Sequence, residues 1–190
     1  MARTPSNMLP LGTKAPDFDL SDTVSGKNVS LSAIQGKTGT VIMFICNHCP
    51  FVKHVNPEIS RLARDYASRG IGFAAISSND VENYPDDAPE LMTKNAEEQG
   101  FIFPYLYDES QEVARAYDAA CTPDFYLFDR DLKLVYRGQL DDSRPENGIP
   151  VTGKDLRAAL DALILEEKVS EHQKPSIGCN IKWKNQMSGK

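Results

Sequence analysis

The chain has 190 residues, of which 41% are hydrophobic and 25% charged, and its net charge is −6. A chain of this size and composition forms one soluble globular domain whose core is large enough to fold without disulfide staples. The acidic balance excludes a nucleic-acid surface, and no apolar run approaches the roughly 18 residues of a membrane span. We therefore expect neither nucleic acid nor membrane among its partners.

The four cysteines need a chemical explanation, because the fold does not require them as a framework. The opening MARTPSNMLPLGTKAP lacks the apolar stretch of a signal peptide, so we expect a cytoplasmic protein. Thiols stay reduced in the cytosol, and a close cysteine pair there is more often catalytic or metal-binding than structural.

The first half of the chain predicts a strand–helix–strand unit with a right-handed crossover. The predicted elements, in chain order, are a hairpin strand at 29–31, a buried strand at 40–45, a helix over 50–69 and a buried strand at 71–77. Pro57 lies inside the helical pattern, and it predicts a kink or a restart there.

The second half predicts helices and an antiparallel strand pair. The predicted elements are a helix at 87–99, a shorter helix at 110–117 with Ser110 as its N-cap, paired strands at 125–129 and 133–138, and an amphipathic helix at 156–169. We interpret residues 1–169 as a single domain and residues 170–190 as a C-terminal tail that packs on it.

The order of these elements resembles the thioredoxin fold, in which a strand enters C-x-x-C at the start of a helix and a Thr-Pro precedes an antiparallel pair. The segments GTKAPDFDL, FPYLYDESQEVARAY and TPDFYLFD are similar to those of the peroxiredoxin and alkyl hydroperoxide reductase/thiol-specific antioxidant (AhpC/TSA) group of bacteria. This resemblance implies an α/β fold of three layers, α/β/α, around a mixed central sheet. It also implies an N-terminal hairpin extension and a peroxiredoxin-like helical insertion.

The motif Cys46-Asn47-His48-Cys49 is the main candidate for catalysis. Free N–H groups at a helix N-terminus and a positive His48 would both stabilise a thiolate. We expect Cys46 to be the exposed nucleophile and Cys49 to be the buried resolving thiol, with both sulfurs on one helix face. A thiolate-stabilising histidine favours the reduced form, which predicts a redox potential of about −180 to −230 mV.

Metal binding, core packing and peroxide chemistry are alternative roles for this cysteine pair, and the sequence leaves them open. Zinc normally takes four ligands, and no second C-x-x-C or H-x-x-H completes such a site. Copper chaperones of thioredoxin fold carry a C-x-x-x-C-P pattern, whose spacer is one residue longer. The two cysteines could also be small core residues. A thiol peroxidase is a further alternative, although the T-x-x-C motif of peroxiredoxins is absent at both cysteines.

The resemblance implies that Thr122-Pro123 is a cis-proline bond facing the C-x-x-C motif, where it would pair with an incoming substrate peptide. Cys121 would then lie beside the dithiol. The strand order brings the loop at 139–148 to the same end of the sheet, so Asp142 and Arg144 are candidates for substrate contact.

The tail contains Cys179 and Trp183. An extended chain is long enough to return from the last helix to the site. We hypothesise that the tail folds over the rim of the site, with Trp183 as an anchor, and brings Cys179 near Cys121 as a second thiol pair.

The sequence therefore predicts a thiol–disulfide oxidoreductase in which Cys46 and Cys49 alternate between dithiol and disulfide. The alternatives are a peroxiredoxin-like thiol peroxidase and a metal-binding thioredoxin-fold module. We expect no cofactor and no metal. The expected partners are a protein or small-molecule disulfide substrate and a reductant such as thioredoxin or glutathione, while the oligomeric state is not indicated.

Overall fold

The computed structural model describes residues 3–184. Within these residues it contains ten strands in two sheets and five α-helices. The strands are β1 Arg3–Pro5, β2 Asp19–Asp22, β3 Asn28–Ser30, β4 Gly39–Phe44, β5 Ile71–Ser77, β6 Tyr105–Tyr107, β7 Cys121–Thr122, β8 Asp124–Asp129, β9 Leu134–Gly138 and β10 Ile177–Asn180. The helices are α1 Leu31–Ile34, α2 Pro50–Ala67, α3 Pro89–Gln99, α4 Glu112–Ala116 and α5 Lys154–Ile164, and a short 3₁₀ turn covers Pro85–Asp87.

The larger sheet has seven strands in the order β3-β2-β6-β5-β4-β8-β9. Strand β4 lies parallel to β5 and antiparallel to β8, which makes the sheet mixed. Every residue of β4 is buried, because its alternate side chains enter two cores. Val41 and Met43 pack in the core that includes α2, α3 and α5, whereas Ile42 and Phe44 pack in the core that includes α1 and α4. These cores confirm the predicted three-layer α/β/α arrangement.

Several predicted boundaries differ from those in the structure. Helix α2 runs without a break through Pro57, so the predicted restart is wrong. Pro57 has no N–H to donate to the carbonyl of Lys53, one turn earlier. Because both residues are exposed, water can bind this carbonyl instead, and the helix continues. Gln111, not Ser110, is the N-cap of α4, although the Ser110 hydroxyl still accepts the N–H of Glu112.

The smaller sheet has the strand order β1-β10-β7, and β1 and β7 lie within the predicted domain of residues 1–169. The segment predicted as a tail supplies its middle strand, β10, which pairs antiparallel with β1 and with β7. Residue Cys179 of β10 pairs with Thr122 of β7. The last helix, α5, ends at Ile164 rather than at residue 169. Within residues 3–184, no helix is both long and apolar enough to cross a membrane.

Candidate active site

The dithiol loop, defined here as residues 46–49, connects the end of β4 to the start of α2. Strand β4 ends at Phe44, and α2 begins at Pro50 with Cys49 as its N-cap. Proline is favoured at the first position of a helix because its missing N–H has no partner to lose there. Both cysteines therefore precede the helix, and the prediction that they share one helix face is wrong.

Thr122 is the residue that contacts both thiols of the loop. The peptide bond from Thr122 to Pro123 is cis, as the resemblance implied. The Thr122 hydroxyl lies 3.4 Å from the Cys46 sulfur, and the Thr122 carbonyl oxygen lies 3.3 Å from the Cys49 sulfur. The cis-proline turn thus faces the dithiol.

A third cysteine, Cys179, reaches the dithiol from strand β10. Its sulfur lies 2.8 Å from the sulfur of Cys49. The thiol of Cys121, in contrast, lies 3.8 Å from the carbonyl oxygen of Pro123. The tail does return to the site, where it brings Cys179 to Cys49, and the pairing of Cys179 with Cys121 stays a prediction.

The electrostatics of the three sulfurs favour a thiolate at Cys49. Its pKa is lowered to about 5, mainly because it accepts a hydrogen bond from Cys46, with further contributions from Cys179 and from the backbone N–H of Val52. The pKa of Cys46 is raised well above its usual value, because Cys46 keeps its proton for this bond, is buried and lies near Asp87. Burial raises the pKa of Cys179 to about 12.

The burial of Cys46 differs from the prediction, and the pKa values of the two loop cysteines differ in the opposite sense to the one expected. Cys46 was expected to be the exposed thiolate, but its exposed fraction is 1% and that of Cys49 is 0%. The N-cap position places Cys49, not Cys46, directly at the positive end of an 18-residue helix. The negative charge of Asp87 near Cys46 adds to this difference.

Asp87 lies at the candidate site, and the sequence did not reveal it. Its side chain is fully buried, and one oxygen accepts the backbone N–H groups of Asn47 at 2.8 Å and His48 at 3.2 Å. The other oxygen contacts the His48 ring at 2.6 Å and the Asn79 amide at 2.8 Å. Four donors therefore hold one carboxylate, and the carboxylate in turn fixes the conformation of the dithiol loop.

His48 connects this carboxylate to the thiols. Its Nδ1 atom lies 4.0 Å from the Cys46 sulfur and 2.6 Å from Asp87. The hydrogen bond to Asp87 raises the pKa of His48, and His48 is among the groups that lower the pKa of Asp87. The imidazole also stacks on Tyr84, with ring centroids 5.7 Å apart.

The loop at 139–148 contributes polar groups, and these are engaged by one another or by lysines outside the loop. Asp142 binds Lys154 and Lys174, both at 2.7 Å. Arg144 donates to the carbonyl of Asp141 at 2.6 Å, and it lines a narrow crevice that also includes Pro123. This crevice places Arg144 beside the cis-proline turn, whereas the role of Asp142 in substrate contact stays a prediction.

Cys46, His48 and Asp87 together offer three ligand atoms that lie within 4.8 Å of one another. Such a set of donors could hold a metal ion. However, the Asp87 carboxylate already accepts four hydrogen bonds, one of them involving the Nδ1 atom of His48. A metal ion would have to displace the His48–Asp87 contact, which does not favour a resident metal.

The mixed sheet, the cis-proline turn and the paired thiols define a protein of thioredoxin fold. The model of the AhpC/TSA family matches residues 11–137, so the chain belongs to this family. This result confirms the resemblance that the sequence motifs suggested.

The similar proteins include both redox classes that the sequence predicted. A thiol–disulfide oxidoreductase, ResA, from Geobacillus thermodenitrificans is 28% identical over 69% of this chain and 70% of its own length. A putative peroxiredoxin from Mycobacterium tuberculosis is 29% identical over 61% and 68%. An uncharacterized conserved protein from Geobacillus kaustophilus has a crystal structure that is 65% identical, with a TM-score of 0.96 over 98% of both chains. A putative thiol:disulfide interchange protein DsbE from Chlorobium tepidum, 22% identical with a TM-score of 0.64 over 82% of this chain and 99% of its own, shares the fold.

Proposed function

We propose that this protein is a thiol–disulfide oxidoreductase in which Cys49 attacks the substrate disulfide and Cys46 resolves the product. The thiolate of Cys49 bonds to one sulfur of the substrate and releases the other as a thiolate. Cys46 then loses its proton and attacks the Cys49 sulfur. The Cys46–Cys49 disulfide closes, the second substrate thiol leaves, and the substrate has gained two electrons.

The observation that carries this proposal is the position of the Cys49 sulfur, which lies at the N-cap of α2 and 2.8 Å from the Cys179 sulfur. The thiols of Cys46 and Cys179 and the backbone N–H of Val52 all lower its pKa, to about 5. A thiol with that pKa is ionised at neutral pH, and the thiolate is the form that attacks disulfides. Cys46 keeps its proton until the mixed disulfide has formed, as a resolving thiol must.

A trapping experiment tests the order of attack. Removal of the resolving cysteine leaves the mixed disulfide with the substrate intact. Both test variants also carry Cys179→Ser, because the Cys179 sulfur lies 2.8 Å from that of Cys49 and could resolve the mixed disulfide. In this background, Cys46→Ser should accumulate a mixed disulfide at Cys49 with oxidised glutathione, and the matched variant Cys49→Ser should not accumulate one at Cys46. If Cys49→Ser alone traps the mixed disulfide, the order is reversed. If neither variant traps one and wild-type protein forms no Cys46–Cys49 disulfide, the proposed activity is wrong.

The partners follow from this chemistry. The substrate is a disulfide on a protein or small molecule, and a reductant such as glutathione or thioredoxin returns the dithiol. The exchange itself needs only thiols and disulfides, so we propose no cofactor. The cytoplasmic location stays a prediction, and antibodies against the protein in fractionated cells would test it.

Peroxide reduction is the alternative that the family membership supports. The Thr122 hydroxyl, 3.4 Å from the Cys46 sulfur, could take the place of the threonine that the sequence motif lacks. The raised pKa of Cys46 works against this reaction, because peroxide reacts with the thiolate. Peroxide consumption by Cys46→Ser and Cys49→Ser separates the alternatives: a peroxidase loses it with one of these cysteines, whereas an exchanger consumes peroxide slowly in all forms.

A further inference from the structure

The C-terminal strand β10 places Cys179 against the dithiol, and the exchange chemistry proposed above does not use it. We propose that Cys179 is a third redox-active thiol, which forms a disulfide with Cys49 in exchange with the Cys46–Cys49 disulfide. This inference rests on the proposed function, because it extends the same thiol chemistry from two cysteines to three.

The short distance between the sulfurs of Cys49 and Cys179 is the first observation that supports the proposal. The sulfurs of Cys49 and Cys179 are 2.8 Å apart, while a disulfide bond is about 2.05 Å long. A shift of less than about 1 Å would therefore close the bond. Cys49 and Cys179 are both buried. The oxidant nearest to Cys179 is therefore the Cys46–Cys49 disulfide, and not a molecule from solution.

The position of β10 gives the second observation, because this strand pairs with β7 at Thr122, where the resemblance led us to expect an incoming substrate peptide. An extended peptide can add to a sheet by main-chain pairing with an exposed strand. Here the strand paired with β7 belongs to the chain itself, and Cys179 stands opposite Thr122. Cys179 thus takes the position of a substrate cysteine next to Cys49.

Gly178 permits this close approach. A Cβ atom at this position would lie 1.9 Å from the carbonyl oxygen of Thr122, and this oxygen is 3.3 Å from the Cys49 sulfur. A side chain at residue 178 would therefore push β10 away from β7. The strand fits against the dithiol because this residue is glycine.

Side-chain hydrogen bonds hold the segment after β10 in the same place. Asn79 accepts the backbone N–H of Lys182 at 2.8 Å and donates to Asp87 at 2.8 Å. Asp87 in turn holds the dithiol loop through Asn47 and His48. The carboxyl-terminal strand and the loop are therefore positioned by one connected network, and Cys179 is presented by a fixed strand.

The exchange reaction conserves electrons. Cys179 gives up its proton to water, and its thiolate attacks the Cys49 sulfur of the Cys46–Cys49 disulfide. The bond between Cys49 and Cys179 forms as the bond between Cys46 and Cys49 breaks, and Cys46 leaves as a thiolate that takes a proton. The number of disulfides is unchanged, and the Cys46 thiol becomes available to react again.

Variants of the full chain in which one cysteine is replaced test the proposal. Each variant is oxidised with glutathione disulfide, and its disulfides are mapped by alkylation and peptide mass analysis. Cys46→Ser should form mainly an intramolecular Cys49–Cys179 disulfide, and Cys179→Ser should form Cys46–Cys49. If Cys46→Ser leaves Cys179 alkylated and Cys49 bound only to glutathione, or joins Cys49 to Cys121, the third-thiol proposal is wrong although the exchange activity stands. If Cys46→Ser forms Cys49–Cys179 but Cys179→Ser forms no disulfide, the proposed dithiol chemistry is wrong instead.

A variant that keeps both Cys49 and Cys179 provides the second test. Gly178→Ala displaces β10, and we expect it to lower the yield of Cys49–Cys179 disulfide in the Cys46→Ser protein by about tenfold, which is the size of an overpacking effect. The matched control is Asn180→Ala, an exposed position two residues along the same strand, which should leave the yield unchanged. Equal yields in the two variants would overturn the proposal that β10 presents Cys179.

Discussion

The dithiol loop and strand β10 each bring a cysteine to the Cys49 sulfur, but they are held there by different means. The loop contains both Cys46 and Cys49, and the buried carboxylate of Asp87 fixes its conformation. Strand β10 lies far beyond the loop in the chain, and pairing with β1 and β7 places it. We infer that the Cys46–Cys49 pair depends on local electrostatics, whereas the Cys49–Cys179 contact depends on sheet packing. The two pairs should therefore be separable by mutation.

The largest effect should come from the sulfur that both regions share. Cys49→Ser removes both possible disulfides, and we expect thiol–disulfide exchange to fall by about three orders of magnitude or more, as when an enzymic nucleophile is lost. Rates with a glutathione-linked disulfide substrate measure this loss. Cys121→Ala is the matched control, because its sulfur contacts a carbonyl and it should keep most of the activity. Similar losses in both variants would contradict the central place of Cys49.

The carboxylate that holds the loop should have the next largest effect. Asp87→Asn leaves buried donors without a charged acceptor, and we expect it to lower the free energy of unfolding by about 3 kcal/mol. The neighbouring Asp86 is exposed, so Asp86→Asn serves as the control and should change stability by less than about 0.5 kcal/mol. Urea denaturation compares the two variants.

The same pair predicts a pH dependence. The pKa of His48 is raised, so its contribution to stability is complete below about 6.5 and is lost as the pH rises through the folded value. The pKa of Asp87 is lowered, so its contribution is lost in acid. The stability difference between wild type and Asp87→Asn should therefore be largest between about pH 4 and 6.5. A difference that keeps growing toward pH 9 would contradict an ionised His48–Asp87 pair.

The Cys49 thiolate makes a further pH prediction. A folded pKa of about 5 lies below the unfolded value of about 8.5, so the unfolded reduced chain binds more protons in this window. The free energy of unfolding should rise with pH between these values. The redox potential should fall by about 30 mV per pH unit there, since reduction takes up one proton instead of two. A slope near 59 mV per unit would show that neither thiol is ionised.

A smaller effect is expected from the threonine between the two regions. Thr122→Val keeps the shape of the side chain but removes the hydroxyl that lies 3.4 Å from the Cys46 sulfur. Loss of one hydrogen bond to the reduced form, about 1 kcal/mol, should lower the potential of the Cys46–Cys49 pair by about 20 mV. Thr122→Ser keeps the hydroxyl and should restore the potential, whereas an equal shift in both variants would assign the effect to packing.

The smallest effect should come from the end of the described chain. The guanidinium of Arg115 lies 4.4 Å from the centre of the Trp183 ring, an arrangement worth about 0.5–1 kcal/mol at a partly exposed site. Trp183→Ala should therefore speed amide hydrogen exchange in β10 by about two- to fivefold and leave the dithiol loop unchanged. Trp183→Phe retains a ring and should have a weaker effect.

The sequence predicted the elements whose pattern is local. The buried run of β4, the hairpin of β2 and β3 and the amphipathic helix α2 all follow from periodicity over a few residues. The small sheet was not predicted, because strands of two to four residues that lie far apart in the chain leave no periodic signal. The tail was expected to return to the site, but its pairing with β7 decides which cysteine it meets.

The candidate site divides in the same way. The C-x-x-C spacing and the Thr-Pro dipeptide are visible in the sequence, and they identified Cys46, Cys49 and Thr122. The thiolate is assigned to Cys49 or Cys46 according to where α2 begins and where Asp87 lies. Asp87 reaches His48 through a tertiary contact, which the sequence does not show. Nothing in the segment YPDDAP distinguishes Asp87 from Asp86, because only burial separates them.

The most direct test is a redox titration of the wild-type protein in glutathione buffers, with differential alkylation and peptide mapping at each point. The account predicts a Cys46–Cys49 disulfide that forms reversibly at about −200 mV. Cys121 should stay a reduced thiol and be alkylated at every point of the titration. If Cys46 and Cys49 remain unpaired at every potential and another pair of cysteines takes up the oxidation, the account is contradicted.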